Sequence, residues 1–131
     1  LDVGTGSGIL SILARKLNMT TGYAYDNDPE SHRVFLENME KNKINQVEWE
    51  PLWSEKLVGK AELLIANIID GILLDLKEDF KAVQPRYCLF TGVLAERAED
   101  FVKEMTNQWD LKLLVKDQKD EWVGFLFERL S

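Results

Sequence analysis

The chain has 131 residues, 45% of them hydrophobic and 30% charged, with a formal net charge of −7. That length supports one domain with its own core, and the balance is that of a globular chain rather than a disordered or membrane-spanning one. The acidic surplus and the lack of any basic tract argue against direct binding to nucleic acid, which depends on phosphate neutralisation, and favour a basic partner.

Cys88 is the only cysteine, so an internal disulfide is impossible and a reducing, cytoplasmic compartment is expected. The chain starts without methionine, at a point where a strand is already under way, and no basic stretch precedes an apolar block. A domain trimmed from a longer protein, without a secretory leader, is expected.

Strand-like and helix-like segments then alternate, which predicts an α/β fold with a mostly parallel sheet and helices on both faces. Leu1 to Val3 reads as the end of a buried strand, after which Ile9, Leu10, Ile12, Leu13 and Leu17 fall at helical spacing. A second strand is expected over Thr20 to Tyr25. Asp28 followed by Pro29 signals the next helix, which carries Val34, Phe35 and Met39 and ends near Asn42. "VEWE" (Val47 to Glu50) is a third strand, and "ELLIAN" (Glu62 to Asn67) a fourth, apolar on both faces as a central parallel strand should be. One helix is predicted over Ile69 to Phe80, with Ile72, Leu73, Leu76 and Phe80 inward. Tyr87 to Gly92 is a fifth strand and Ala95 to Gln108 a further helix. Leu111 to Asp117 and Glu121 to Arg129 are too close in sequence for a parallel crossover and must pair as an antiparallel hairpin. The predicted whole is a Rossmann-like, doubly wound, seven-stranded mixed sheet spanning residues 1–131.

The first strand-to-helix turn, "LDVGTGSGIL", carries the chemistry. A glycine-rich turn brings a ligand against backbone amides and a helix N-terminus. A dinucleotide fingerprint places glycine three positions after its second glycine, where this chain has Ile9. Instead Gly4, Gly6 and Gly8 alternate behind Asp2, an acidic strand end that suits a cationic amine better than a pyrophosphate. Asp26 closes the second strand 22 positions after Gly4, where a carboxylate accepts bonds from both hydroxyls of a ribose. A ligand with an amino-acid end and a ribose end is S-adenosylmethionine, and NAD fits less well. The alternative for Asp26 and Asp28 is helix capping within "DNDP".

Asn67 stands at the carboxyl end of the fourth strand, beside the topological switch point of the expected sheet. Its amide oxygen is placed to accept from a substrate amine, or to cap the following helix. "LDVGTGSGILSI", "DNDP", Glu37-Asn38 with Asn42, "ANII", "TGVL" and "EWVGFLFERL" occur here in order. With these the sequence resembles, over nearly its whole length, the catalytic domain of the ribosomal-protein methyltransferases that modify large-subunit protein eleven. The resemblance implies a class I S-adenosylmethionine-dependent methyltransferase domain that methylates a protein amine, a lysine or an α-amino group. It implies that Gly4, Gly6 and Gly8 lie along the methionine part of the cofactor, with Thr5 adding a contact. Asp2 would be near the cofactor amine, Asp26 on the ribose, and Asn67 facing both cofactor and substrate as the catalytic residue.

Three features depart from the family. "PRY" (Pro85 to Tyr87) replaces a Pro-Gly-Gly turn, Arg97 replaces a glutamine, and Asp70 replaces a small apolar residue. The family's N-terminal substrate-recognition domain is not in this sequence. Alternatives are a methyltransferase of the same fold acting on another protein or a small molecule, and a non-catalytic cofactor-binding or scaffold module.

The remaining polar residues read as structural. His32 falls in the first turn of an acid-capped helix and reads as a surface or capping residue rather than a catalytic one. One histidine and one cysteine are too few soft ligands for zinc, and no metal is expected. Cys88 reads as a core thiol. Trp49 and Trp53 read as core, with the adenine neighbourhood as the alternative.

Overall fold

The computed structural model describes residues 1–19, 22–50, 61–68 and 70–130. Its strands are β1 (Asp2–Val3), β2 (Gly22–Tyr25), β3 (Val47–Glu50), β4 (Leu63–Asn67), β5 (Tyr87–Leu94), β6 (Leu111–Lys119) and β7 (Trp122–Arg129). These seven strands run in the order β3-β2-β1 over residues 1–57 and β4-β5-β7-β6 over residues 58–131, in a mixed sheet. The helices are α1 (Ile9–Lys16), α2 (Pro29–Lys41), α3 (Asp70–Asp75), α4 (Lys77–Val83) and α5 (Ala98–Gln108). The chain divides into two compact units, Leu1–Leu57 and Val58–Ser131. Thr20, Thr21, Trp53 and Ile69 lie outside the described residues.

In the first unit β1, β2 and β3 pair in parallel, with Asp2 opposite Ala24 and Ala24 opposite Trp49. Helix α2 starts where its sequence dictates. Asp28 keeps an extended backbone, its carboxylate accepts the Glu30 N–H at 3.0 Å, and Pro29 opens the first turn. Phe35 and Met39 of α2 close over Ala24, with Ile12, Ile44, Val47 and Trp49 packed around them.

Helix α1 departs from its apolar pattern. Ile9, Leu13 and Leu17 are 69%, 50% and 68% exposed, and the residue it buries is Ser11. The cause is a hydrogen bond: the Ser11 hydroxyl donates to the buried Asp2 at 2.8 Å, which turns that face inward. A charged acceptor outweighs the placement of one apolar stripe, because leaving such a group unpaired costs more than exposing leucines.

In the second unit β4 pairs in parallel with β5, from Leu63 opposite Tyr87 to Asn67 opposite Thr91. Leu64, Ile65 and Ala66 are all buried, as a strand covered on both faces requires. β7 runs antiparallel to β5 and to β6, so the parallel sheet does finish in a hairpin. Lys119 faces Trp122 across the turn, where Asp120 takes a φ of 55°. That left-handed geometry is what a tight hairpin demands. Phe90 of β5 centres an aromatic core, with the rings of Phe80, Phe101, Trp109 and Phe127 at 5.9–6.1 Å.

Two expectations in this unit are corrected. The single helix predicted over 69–80 is two, α3 and α4. The Leu76 N–H is shared between the carbonyls of Ile72 and Leu73 at 3.2 and 3.3 Å, and Ile72 is 46% exposed rather than inward. Glu78 and Asp79 follow at once in the first turn of α4, where carboxylates meet the positive end of a new helix. Leu73, Phe80 and Val83 stay buried through the break.

The fifth strand runs on to Leu94, past the predicted Gly92, through a bulge. Phe90 pairs with Phe125 and Val93 with Val123, so Thr91 and Gly92 together oppose Gly124. A short 3-10 turn, Ala95–Arg97, then precedes α5.

Candidate active site

The alternating glycines do different work. Gly4, Gly6 and Gly8 have φ of 72°, 53° and 85°, in the left-handed region that costs other residues about 1–2 kcal/mol. A Cβ on Gly8 would stand 2.7 Å from Cδ2 of Phe35 and 3.0 Å from Cε of Met39, so Gly8 exists to let α2 pack on the loop. A Cβ on Gly6 would meet nothing within 4 Å. The backbone at Gly6 therefore faces open space, and it is there that a ligand can lie against the chain.

Three side chains brace this loop. The Gly6 N–H donates to Oδ2 of Asp26 at 2.9 Å, while Oδ1 of Asp26 accepts the Asp28 N–H at 3.0 Å. An ionised carboxylate offers about four acceptor positions, so two backbone bonds leave capacity for two hydroxyls. The Asn38 amide donates to the Ser7 carbonyl at 2.9 Å. Oδ2 of Asp2 accepts from the hydroxyls of Thr5 at 2.7 Å and Ser11 at 2.8 Å. Burial raises the Asp2 carboxyl above the ordinary value of 3.8, and the Thr5 and Ser11 bonds pull it partly back.

Of the predicted cofactor residues in this unit, Asp2 and Thr5 are thus bonded together with Ser11, and Gly6 is bonded to Asp26. Ser11 and Asn38 also brace the loop, and sequence reasoning had given neither a role. Asn38 was legible as part of the "EN" stretch; Ser11 was hidden among apolar neighbours. Within "DNDP", Asp28 caps α2 while Asp26 accepts from the Gly6 and Asp28 amides.

His32 is half-buried and stacks on Trp49, ring centroids 4.1 Å apart and nearly parallel at 9°. Trp49 packs on the Ala24–Phe35–Met39 core, as expected, and its indole nitrogen is buried without a hydrogen-bond partner among the described residues. Cys88 is buried, and burial pushes its thiol up to about 12, which makes it an inert core group. Among the described residues no group of three histidine, cysteine or acidic side chains could hold a metal ion.

Asn67 is the last residue of β4 and is exposed, three positions ahead of the first described residue of α3. Asn67 lines an open groove of about 900 Å³, contained within the second unit. Leu89 and Leu126 contribute to its apolar lining, while Thr91, Gln118 and Trp122 contribute polar groups. Asn67 Oδ1 and the Ile68 carbonyl both come within 3.1 Å of where a Cβ on Gly92 would be.

The family model for ribosomal protein L11 methyltransferase (PrmA) matches residues 1–129. The chain belongs to that family. The ribosomal protein L11 methyltransferase of Thermotoga maritima is 35% identical over 131 residues, covering 98% of this chain and 49% of its own length. That of Lactococcus lactis is 36% identical over 135 residues, covering 98% and 42%. The chain thus spans about half the length of the curated relatives it matches. The crystal structure of the ribosomal protein L11 methylase of Lactobacillus delbrueckii subsp. bulgaricus superposes with a TM-score of 0.86 at 28% identity, over 98% of this chain and 67% of that one. At the level of fold alone, TYW2 of M. jannaschii, solved in complex with AdoMet, superposes with a TM-score of 0.71 at 19% identity. The expected Rossmann-like fold therefore holds for this chain of the L11 methyltransferase family.

Proposed function

We propose that the protein carrying this chain methylates amine groups of ribosomal protein L11, lysine or α-amino, with S-adenosylmethionine as donor. When bound, the cofactor supplies a methyl group already activated on a sulfonium. The chain's own share is to bind, orient and desolvate. Gly6 offers bare backbone to the donor, and Asp26 has acceptor capacity beyond its two loop bonds for ribose hydroxyls. These residues fit the cofactor. Asp2, whose Oδ2 accepts from Thr5 and Ser11, stands near the cofactor amine.

The observation that carries the reading is Asn67, an exposed carboxamide at the end of a buried strand and on the wall of a groove. A lysine must give up a proton before it attacks, at a cost of roughly 4–5 kcal/mol at neutral pH for an ordinary pKa. The only histidine is engaged in stacking on Trp49, so a histidine base is not invoked. Asn67 Oδ1 instead accepts from the neutral amine and aims its lone pair, while the apolar lining disfavours the charged form. The net charge of −7 suits a basic acceptor protein and not unaided nucleic-acid binding. A cytoplasmic location follows from that acceptor, and no described helix is long and apolar enough to cross a membrane.

The test is transfer of a tritiated methyl group to purified L11 by the full-length protein and its Asn67→Ala variant. Single-turnover methylation is slowed in the variant, with S-adenosylhomocysteine affinity and melting temperature close to the parent. If L11 takes up no label while the protein binds S-adenosylhomocysteine, the acceptor assignment is wrong. A parental rate in the variant removes Asn67 from the mechanism.

A further inference from the structure

Gly92 is not accounted for by strand formation. Glycine weakens a strand interior, yet here it stands in β5 with a φ of 84°. Its partner strand explains half of this. The pairing of β5 with β7 gains one residue between Phe90 and Val93, so Thr91 and Gly92 together oppose Gly124, and a Cβ on Gly124 would itself meet the Thr91 methyl at 3.3 Å. The other half concerns β4. The β4–β5 ladder ends at the pair Asn67–Thr91, immediately before the bulge. A Cβ on Gly92 would press on Asn67 Oδ1 and the Ile68 carbonyl, both at 3.1 Å, and on the Ile68 carbonyl carbon at 3.4 Å. One of those neighbours is a side chain and the other is backbone. Both must give by a few tenths of an ångström, and the side chain gives the more readily.

We propose that Gly92 is a positioning residue for Asn67: the bulge and the missing Cβ together set where the Asn67 amide oxygen points. Bulges re-aim side chains beside active sites, and here the side chain re-aimed belongs to the neighbouring strand. The inference rests on the reading of Asn67 as the group that orients the amine. Any substituent at Gly92 displaces Oδ1 from the line along which it accepts the amine N–H, and in-line attack is sensitive to such displacement.

The experiment uses the full-length protein with Gly92→Ala, Gly92→Asn, Asn67→Ala and the double variant Asn67→Ala/Gly92→Ala. Gly71→Ala serves as control, because a Cβ there meets nothing within 4 Å. Asparagine tolerates positive φ, so Gly92→Asn adds the Cβ with less backbone strain than alanine does. Assays are run below the melting midpoint of the least stable variant. Both Gly92 variants are expected to lower kcat by about 10–100-fold. KM and S-adenosylhomocysteine affinity stay within about twofold, and the double variant is no slower than Asn67→Ala alone. Parental kcat in Gly92→Asn overturns the proposal, as does an equal rate loss from Gly92→Ala with and without Asn67. A parental rate in Asn67→Ala sinks instead the reading of Asn67 on which the proposal stands.

Discussion

Glycines four residues apart or fewer can have opposite purposes, and Gly6 and Gly8 separate them. Gly8→Ala places a methyl 2.7 Å from the Phe35 ring at a φ of 85°. Overpacking and left-handed strain together are expected to destabilise the domain by about 2–4 kcal/mol in urea unfolding. Gly6→Ala meets no neighbour and loses only about 1–2 kcal/mol to its φ. Its effect appears in calorimetry as weakened S-adenosylhomocysteine binding; undiminished affinity would mean the ligand does not lie on that backbone. Asp2 gives a pH signature. Its carboxyl is raised by burial, so the folded state holds the proton longer than the unfolded one does. Stability is therefore full below the ordinary carboxylate value of 3.8 and declines as pH rises from there through the higher folded value. Asp2→Asn, which keeps an oxygen for Thr5 and Ser11, should flatten that decline in denaturation curves taken across the acid range.

At the scale of elements, residues with local reasons behaved as their local chemistry asks. Asp28 and Pro29 start α2, and Asp28→Ala is expected to cost about 1 kcal/mol of unfolding free energy while cofactor affinity holds, because Asp26 carries the loop. An equal loss of cofactor affinity would show that the two aspartates act as one unit. The antiparallel ending was legible for the same kind of reason, since so short a connection admits no crossover. The division of α3 from α4 and the bulge at Thr91–Gly92 were not legible. Each depends on what lies opposite: the core that takes Leu73 and Phe80, and the single residue Gly124 that faces two.

At the scale of the molecule, each unit has its own core. The first closes on Ala24, Phe35 and Met39, and the second on a cluster of rings about Phe90. Phe90 is fully buried, so Phe90→Ala should remove about 3–5 kcal/mol in chemical denaturation. A loss below about 1 kcal/mol would mean that the surrounding rings collapse into the space, which aromatic side chains of fixed shape rarely do. This core holds β5 and β7 in the register that creates the bulge beside Asn67. The groove is thus a consequence of packing on the other face of the same strands, where Cys88, Phe90 and Phe127 are buried.

The sequence alone determined the order of elements, the turn at Gly4 to Gly8, the strand-end aspartate Asp26 and the strand-end asparagine Asn67. Those follow from spacing, capping and the period of apolar residues, all of which act over a few neighbours. It could not divide the labour among the glycines, turn Ser11 rather than Ile9 inward, or place Gly92 against Asn67. Those outcomes were decided only by tertiary structure, because each sets one local preference against a contact from a distant segment: Phe35 behind Gly8, Asp2 beneath Ser11, and Asn67 across from Gly92.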